Sequence, residues 1–483
     1  MSLTTALGIA QNALLTTARR TSIVSQNVTN ASNPDYSRRS AVLSSDAPGV
    51  RVAEIRRATA EALFWQNLSA SSSWEAQKQL LAGYDTLAIS VNGADNAASP
   101  ATALGKLQEA LQLYATTPSS ATVAEGALDA ARQFVRSLNN GSAQIQTFRA
   151  NMDVEIGIAV NDLNRLLADF EVANKSVIAA RATGRDASDA LDQREAILKQ
   201  ISDQIPISTF SRTNDDMVIT TADGSTLFET RPRVVSFEST AAYAPGVAGN
   251  AVYIDGIPLA PGKNGAVSGR LASFVALRDD VATTLQTQLD EIARGAIAAF
   301  SETDRTGGGA PPLAGLFTWA GGPALPPAAT STTGLANSIA INPAFDTDAG
   351  GNPALLRDGG ANGAAYVANP GGASYANLLI DYGDRLIAPI TFDAAARLAT
   401  NISVTEFSSA SIGWIEASRQ NAFNAELTTG ALKVRTAEAL SNETGVNIDV
   451  EMSLLLDLEH AYEASARLIR TVDQMMATLL ETV

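Results

Sequence analysis

Residues 3–28 read LTTALGIAQNALLTTARRTSIVSQNV, and the period of this stretch decides the fold. Leu3, Leu7, Ala10, Leu14, Thr17, Thr21, Val24 and Val28 follow one another at alternating steps of four and three, an unbroken heptad series. That period predicts one long helix, about 40 Å at 1.5 Å per residue. No proline interrupts it before Pro34, and Asn30-Ala31-Ser32-Asn33-Pro34-Asp35 is dense in turn formers that end it. Small side chains at Ala10, Thr17 and Thr21 let a partner helix come close but make a weak hydrophobic seam.

The other end of the chain mirrors this. Leu455, Leu458, Tyr462, Ser465, Ile469, Val472, Met476, Leu479 and Val483 step by three and four, with Ser465 the one polar lapse. Asp449 and Glu451 suit the positive end of that helix's dipole. The two ends differ in charge. Residues 1–60 carry seven arginines against Asp35, Asp46 and Glu54, a balance of +4. Residues 438–483 carry nine acids against Arg467 and Arg470, a balance of −7. Opposite signs on two amphipathic ends favour their association, within one molecule or between neighbours. Terminal seams that reach the extremes of a chain fray unless something ties them down, which points to assembly.

Between the ends the pattern changes twice. Residues 60–200 read as mostly helical, with a long run from about Ala121 to Gln204 interrupted near Gly184. Pro206 to Leu259 reads as β, with Asp223-Gly224 a hairpin signal and Asp255-Gly256 closing a later strand. Helical periodicity returns from Gly269 to Phe300 and again from Ser374 to Ala439. Residues 301–375 are rich in Gly and Pro, which precludes a long regular element, although Ile339–Ile341 suits a short strand.

Composition removes several chemistries. The 483 residues include no cysteine and one histidine, His460, with a net charge of −16. Disulfide frameworks, thiol nucleophiles, Cys-ligated zinc and His clusters are excluded. An acidic chain is a poor match for nucleic acid. No apolar run is long enough to span a membrane, and Met1–Ala6 lacks the basic and apolar regions of a cleavable signal. His460 reads as a helix-surface residue. Asp346 and Asp348 resemble a fragment of a calcium loop but lack its bidentate Glu, so they read as a turn. Asp215-Asp216 and Asp279-Asp280 are adjacent pairs that do not converge on one point, and the glycine clusters lack phosphate-loop spacing. Trp65, Trp74, Trp319 and Trp414 read as packing residues. No catalytic, cofactor or metal site is expected.

The segment from Asn27 through Asn30, Pro34, Asp35 and Tyr36 to Ser37-Arg38-Arg39 resembles the signature that flagellar rod, hook and hook-associated proteins carry after their first helix. Asp35 stands where that family usually has Gly. Gly445-Val446-Asn447-Ile448-Asp449-Val450-Glu451-Met452, followed by Ala461-Tyr462-Glu463-Ala464-Ser465-Ala466-Arg467, is similar to the C-terminus of the hook-associated members. Glu459-His460 departs from the family's usual Gln-Gln. These motifs cover about 80 residues at the two ends.

The expected architecture is α+β and multidomain. Terminal helices form a coiled-coil-like core region, residues 1–60 plus 440–483, ordered on assembly. A helical-bundle domain follows in 61–204 plus 268–300 plus 375–439. A mainly-β outer domain is inserted as 205–267 plus 301–374. The expected assembly interface is Leu3, Leu7, Leu14, Val24, Val28, Asn30 and Tyr36 at one end, with Leu455, Leu458, Tyr462, Ile469, Val472, Met476 and Leu479 at the other. The resemblance implies a non-enzymatic part of the bacterial flagellum at the hook–filament junction, exported unfolded without a cleaved signal. It implies as partners further copies of the chain, hook protein, hook-associated protein 3 and an export chaperone on the C-terminal helix. Neither nucleic acid nor membrane is a partner. The rival readings are the hook protein or hook-associated protein 3 itself, and more distantly a secreted adhesin or enzyme with a β insert.

Overall fold

In the computed structural model, which describes residues 3–45, 49–259 and 268–481, the chain leaves one long helix and returns along another. Helix α1 is Leu3–Thr29. Strands β1 (Arg39–Ser45) and β2 (Val50–Arg57) then form an antiparallel hairpin with a register shift between Val42 and Leu43. The heptad reading gave this segment no strands. Val42, Val50, Val52 and Ile55 supply the β-branched residues.

Helix α2 (Glu61–Leu87) runs into a π-turn at Ala88–Asn92, and α3 (Pro100–Thr116) and α4 (Ala121–Ala182) follow. Ser99 and Ser120 cap α3 and α4 by accepting N–H bonds from Thr102 and Val123. With 62 residues, α4 is roughly 93 Å long. Gly184, at φ +65°, turns the chain into α5 (Ser188–Gln204), as its position predicted.

Strands β3 (Ile207–Ser211), β4 (Met217–Thr221), β5 (Thr226–Glu229) and β6 (Arg231–Pro232) make an antiparallel sheet in that order. Asp223-Gly224 forms the predicted turn between β4 and β5. A second sheet holds β7 (Val235–Ser236), β8 (Tyr253–Ile254) and β9 (Ile257–Pro258). Both Asp255 (φ 52°) and Gly256 (φ 80°) take the left-handed conformation that a two-residue hairpin turn requires.

Helix α6 (Arg270–Ala276) passes through a second π-turn into α7 (Ala282–Ala299). The Gly/Pro-rich stretch contributes β10 (Phe317–Thr318), α8 (Leu335–Ser338), β11 (Ala340–Ile341) and α9 (Leu355–Asp358), with β10 paired to β11. Helix α10 covers Asn377–Ile387. The helical run expected from Ser374 to Ala439 is then broken. Pro389 has no N–H to continue a helix, and β12 (Ile390–Thr391) pairs with β13 (Asn401–Ile402). Ser403 and Glu406 form a capping box that starts α11 (Val404–Thr444), and α12 (Ile448–Glu481) closes the chain.

Two hydrophobic cores sit along α4. The proximal core joins Phe64 and Leu68 of α2 to Ile156, Leu163 and Phe170 of α4, Leu198 of α5, and Ile219, Phe228 and Ile254 of the sheets. The distal core joins α3, the first half of α4, α7 and α10 to Phe317, Leu335 and Phe345. The stretches 207–258 and 313–358, grouped by composition into one insert, thus pack into different cores. Helix α7 is buried nearly all round. Its polar groups are satisfied: Gln288 bonds Ala396 and Ser411, and Arg294 forms a two-pronged pair with Glu291 at 2.8 Å.

Asp290 of α7 accepts N–H bonds from Gly334 and Ala336 at 2.8 Å and from the Gln286 amide at 3.0 Å. Burial nonetheless pushes its carboxyl up to about 6. Folded protein therefore holds a proton that the unfolded chain has released. The stabilisation is complete below about pH 4 and is lost as pH rises through 6. Asp290→Asn is expected to flatten this decline, measured by denaturant unfolding at pH 4, 5, 6 and 7.

Candidate assembly interface

The two terminal seams meet each other. Asn27, near the end of α1, bonds Glu451, near the start of α12, so the helices run antiparallel from that point. Val24 on α1 and Leu458 and Val472 on α12 are buried. Leu3, Leu7, Leu14 and Val28 are half-buried, as are Leu455, Ile469 and Met476. Tyr462 is 46% exposed and lies at the seam's edge. The side chain of Leu479, and Val483, fall outside the described residues. A second face of α1 rests on the hairpin: Thr16 and Ile23 are buried, and the Thr16 hydroxyl donates to the Val50 carbonyl at 2.7 Å.

Pairing leaves apolar surface uncovered. Leu456, Leu468 and Met475 of α12 are each 50–55% exposed, and Leu15 of α1 is 63% exposed. Leu468 and Met475 precede the seam residues Ile469 and Met476, so the stripe on α12 is wider than α1 alone covers.

At the joint, Asn27 is fully buried and uses its whole side-chain amide. Its Nδ2 donates to the Arg39 carbonyl (2.9 Å) and Glu451 Oε2 (3.0 Å). Its Oδ1 accepts from the Tyr36 hydroxyl (2.8 Å) and the Arg39 N–H (3.1 Å). Burial pushes the Tyr36 phenol up. The Asn-rich turn is shaped locally: Asn30 donates to the Gln26 carbonyl, and Asn33 Oδ1 accepts the Asp35 N–H. Asn30 and Tyr36, expected on the seam side, thus serve respectively the helix end and the inside of the joint.

Helix α5 anchors the joint from below. Asp189, Asp192 and Glu195 recur at steps of three on one face. Arg39 reaches Asp189 (2.6 Å) and Asp192 (2.9 Å), with its guanidinium 4.7 Å from the Tyr36 ring centre. Arg57 reaches Asp192 (2.6 Å) and grips Glu195 with two nitrogens (2.7 and 2.6 Å). Burial acts against the Arg57 charge, but Glu195 and Asp192 outweigh it and raise its pKa. The Arg38 N–H donates to the Thr444 carbonyl at 2.7 Å, tying in the end of α11. Two arginines of the basic first segment thus pair with α5, where the charge balance had suggested the acidic last segment. Asn27, Arg39 and Arg57 were not singled out as site residues. The spacing of the acids on α5 is the signal that points to the two arginines.

The remaining candidates are engaged elsewhere. His460 is exposed on α12. Arg132 pairs with Asp346 at 2.5 Å and holds its carboxyl below the usual range, while Asp346 caps the turn by accepting the Asp348 N–H. Asp215 pairs with Arg181, Asp279 with Arg278, and Asp280 with Arg397. Trp74 Nε1 donates to Glu426, and Lys433 lies 3.8 Å from the ring centre. Among the described residues, no group of three or more His, Asp or Glu is placed to hold a metal. No described helix is long and apolar enough to cross a membrane.

Residues 90–314 match the model of the flagellar hook-associated protein FlgK helical domain. Residues 439–482 match the model of the flagellar basal body rod FlgEFG protein C-terminal region. Together these take in more than half of the chain. The chain belongs to the flagellar hook-associated protein family. A solved structure, the flagellar hook junction protein FlgK from Burkholderia pseudomallei, is similar in fold, with a TM-score of 0.58 at 11% identity. The similarity covers 78% of this chain and 99% of that one. No curated protein matches by sequence. The C-terminal family segment contains Glu451 and the α12 seam, so the Asn27 joint binds the unmatched first helix to a matched region. The family is structural, and the location that goes with it is the bacterial flagellum.

Asn27→Ala strands a buried carboxylate and a phenol at once. It is expected to cost about 3 kcal/mol in denaturant unfolding. Hydrogen exchange should quicken across Ser22–Tyr36 and Ile448–Leu455. Asn30→Ala is expected to stay within about 0.5 kcal/mol.

Proposed function

We propose that this chain acts as hook-associated protein 1, the self-assembling junction that joins hook to filament. The observation that carries the reading is the apolar surface that α12 keeps exposed after pairing with α1, in a chain matched by the FlgK helical-domain model. Burying one leucine contributes about 2 kcal/mol, so Leu456, Leu468 and Met475 repeated around a ring of copies supply a substantial contact. Seam residues Leu3, Leu7, Leu14, Val24, Val28, Leu455, Leu458, Ile469, Val472 and Met476 hold the α1–α12 pair that presents this surface. Tyr462 sits at its edge. The printed title of the solved relative, a hook junction protein, supports the same place in the flagellum.

The partners in this reading are further copies of the chain, hook protein on one side and hook-associated protein 3 on the other. An export chaperone covers α12 before assembly, since a free apolar stripe aggregates. Transport leaves the protein outside the cell, at the hook–filament junction. Contact and force transmission replace chemistry.

A strain lacking the chain is expected to build complete hooks and shed unpolymerised flagellin, with antibody label in the parent strain confined to the hook–filament joint. A strain without hooks would instead mark the chain as hook protein. Leu458→Asp with Val472→Asp is expected to abolish incorporation while the helical domain stays folded by circular dichroism. The half-buried far ends of the pair, near Leu3 and Met476, complete their order on assembly. Hydrogen exchange of the monomer is expected to be slow at the Asn27 joint and fast towards those ends, and uniform protection would refute this.

A further inference from the structure

Strand β3 forms one edge of the first sheet, and its hydrogen bonding leaves a row of backbone groups open. It pairs with β4 in a register that sets Ser208 opposite Thr220 and Phe210 opposite Val218. Backbone bonds from Ala222 to Pro206 (3.2 Å) and from Arg212 to Asp216 (2.6 Å) close the same register at its two ends. Successive residues of an antiparallel strand bond to opposite sides. The even-numbered residues therefore turn their N–H and C=O towards β4, while Ile207, Thr209 and Ser211 turn theirs away from it. Among the described residues, no backbone partner reaches these outward groups. Beside them lies a groove of about 360 Å³, walled on its far side by Trp65, Leu68 and Ser69 of α2. Trp65 is 46% exposed, and Phe210, on the other face of the strand, 54%.

Open edges template pairing with another chain, and folded proteins blunt them with charge, proline or shortness. The opposite edge of this sheet has all three: β6 is two residues long, consists of Arg231 and Pro232, and is followed by Arg233. The edges of the first hairpin carry Arg39 on β1 and Arg51, Glu54 and Arg56 on β2. Strand β3 reads Ile-Ser-Thr-Phe-Ser, without charge or proline. Such an edge accepts an uncharged, extended backbone, and β3 itself has that chemistry. Laid antiparallel against a second β3 at full overlap, it sets Thr209 opposite Thr209, Ile207 opposite Ser211 and Ser208 opposite Phe210. Arg212 then faces Pro206 of the other copy, so no two like charges are opposed. Both open edges are used up, and the doubled sheet ends on the blunted β6 at either side.

We infer that two copies of this chain pair through their β3 strands about a two-fold axis. The contact uses the same patch on both copies and closes on itself, so it does not extend into a ring. It belongs to the free chain and is independent of the junction reading. It is also small. Five residues on each side, with Trp65 and Phe210 beside them, fall short of the roughly 1,200 Å² that stable specific complexes bury, so the pair is weak and reversible. Its effect is to keep an undefended edge from seeding longer sheets while copies are free.

The chain has no cysteine, so one introduced thiol is unique. In the inferred pair the two Thr209 residues are directly opposed and hydrogen-bonded, with Cα atoms about 5.5 Å apart, inside disulfide reach. Purified full-length Thr209→Cys under mild oxidation is expected to give a covalent dimer of the 50.2 kDa chain. It should form at least tenfold faster than with Ser236→Cys, exposed on the second sheet. Sedimentation equilibrium of the wild type is expected to show a concentration-dependent exchange between monomer and dimer. Thr209→Lys sets two ammonium groups opposite each other and should weaken that exchange at least tenfold. Thr209→Pro should do the same by removing an outward N–H that the fold itself does not use. Both variants should keep the wild-type circular dichroism, and Leu468→Asp on α12 should leave the pairing unchanged. A wild type that stays monomeric at every concentration overturns the inference, as does a Thr209→Cys chain that cross-links no faster than Ser236→Cys. Pairing that survives Thr209→Lys but is lost in Leu468→Asp runs through α12 and overturns it too. The junction reading is decided separately, by where the label falls on the flagellum.

Discussion

One buried side-chain amide holds the two ends of this chain together. Asn27 spends both donors and both acceptor sites on Arg39, Tyr36 and Glu451, and Arg39 is itself held by Asp189, Asp192 and the Tyr36 ring. Arg39 and Arg57 share Asp192 on α5, so the hairpin is clamped to a helix that puts Ile197, Leu198 and Ile201 into the proximal core. The Thr444 carbonyl brings in α11 at the same point. A half-satisfied network of this kind would be worse than an apolar plug, because stranded charges in a low dielectric are costly. With both ends of the Asn27 amide satisfied, it gives the α1–α12 pair one defined exit from the helical body.

The helical body continues that definition outward. Helix α4 runs unbroken through both cores, with Phe170 packed edge-on against Phe228 in one and Phe134 against Phe317 in the other. Contact at α2 is close enough that Gly83 has no room for a side chain: an added Cβ would meet Leu277 at 2.4 Å. The helix is thus gripped by close packing in both cores, consistent with interiors that pack like crystals.

What was legible in the sequence is what repeats. The seams of α1 and α12, the Gly184 break and the Asp223-Gly224 and Asp255-Gly256 turns each declare themselves within a few residues, because their causes are local. The joint was half legible. Its residues fell inside the segment that resembles the family signature, but no period marks a polar contact between residues 27 and 451. The hairpin of residues 39–57 was missed because its strands are short and sit beside a stronger helical signal. The break at 388–403 turns on Pro389 alone. By composition the Gly/Pro-rich stretch allowed only short elements such as Ile339–Ile341, yet Phe317, Leu335 and Phe345 anchor it in the distal core. Such burial depends on which surface the segment meets, and that surface lies elsewhere in the chain.

The bond between Asn27 and Glu451 joins residues 424 positions apart. In time rather than space, that separation is a delay. A ribosome adding roughly 5–20 residues per second delivers Glu451 some 20–80 s after Asn27. Throughout that interval α1 exists without the helix that covers it. The weakness of its stripe, with Ala10, Thr17 and Thr21 where leucines would pack better, then has a kinetic sense. A first helix that must wait for its partner is safer if it is only mildly sticky, and the burden of apolar surface falls on α12, which emerges when α1 is already there to meet it.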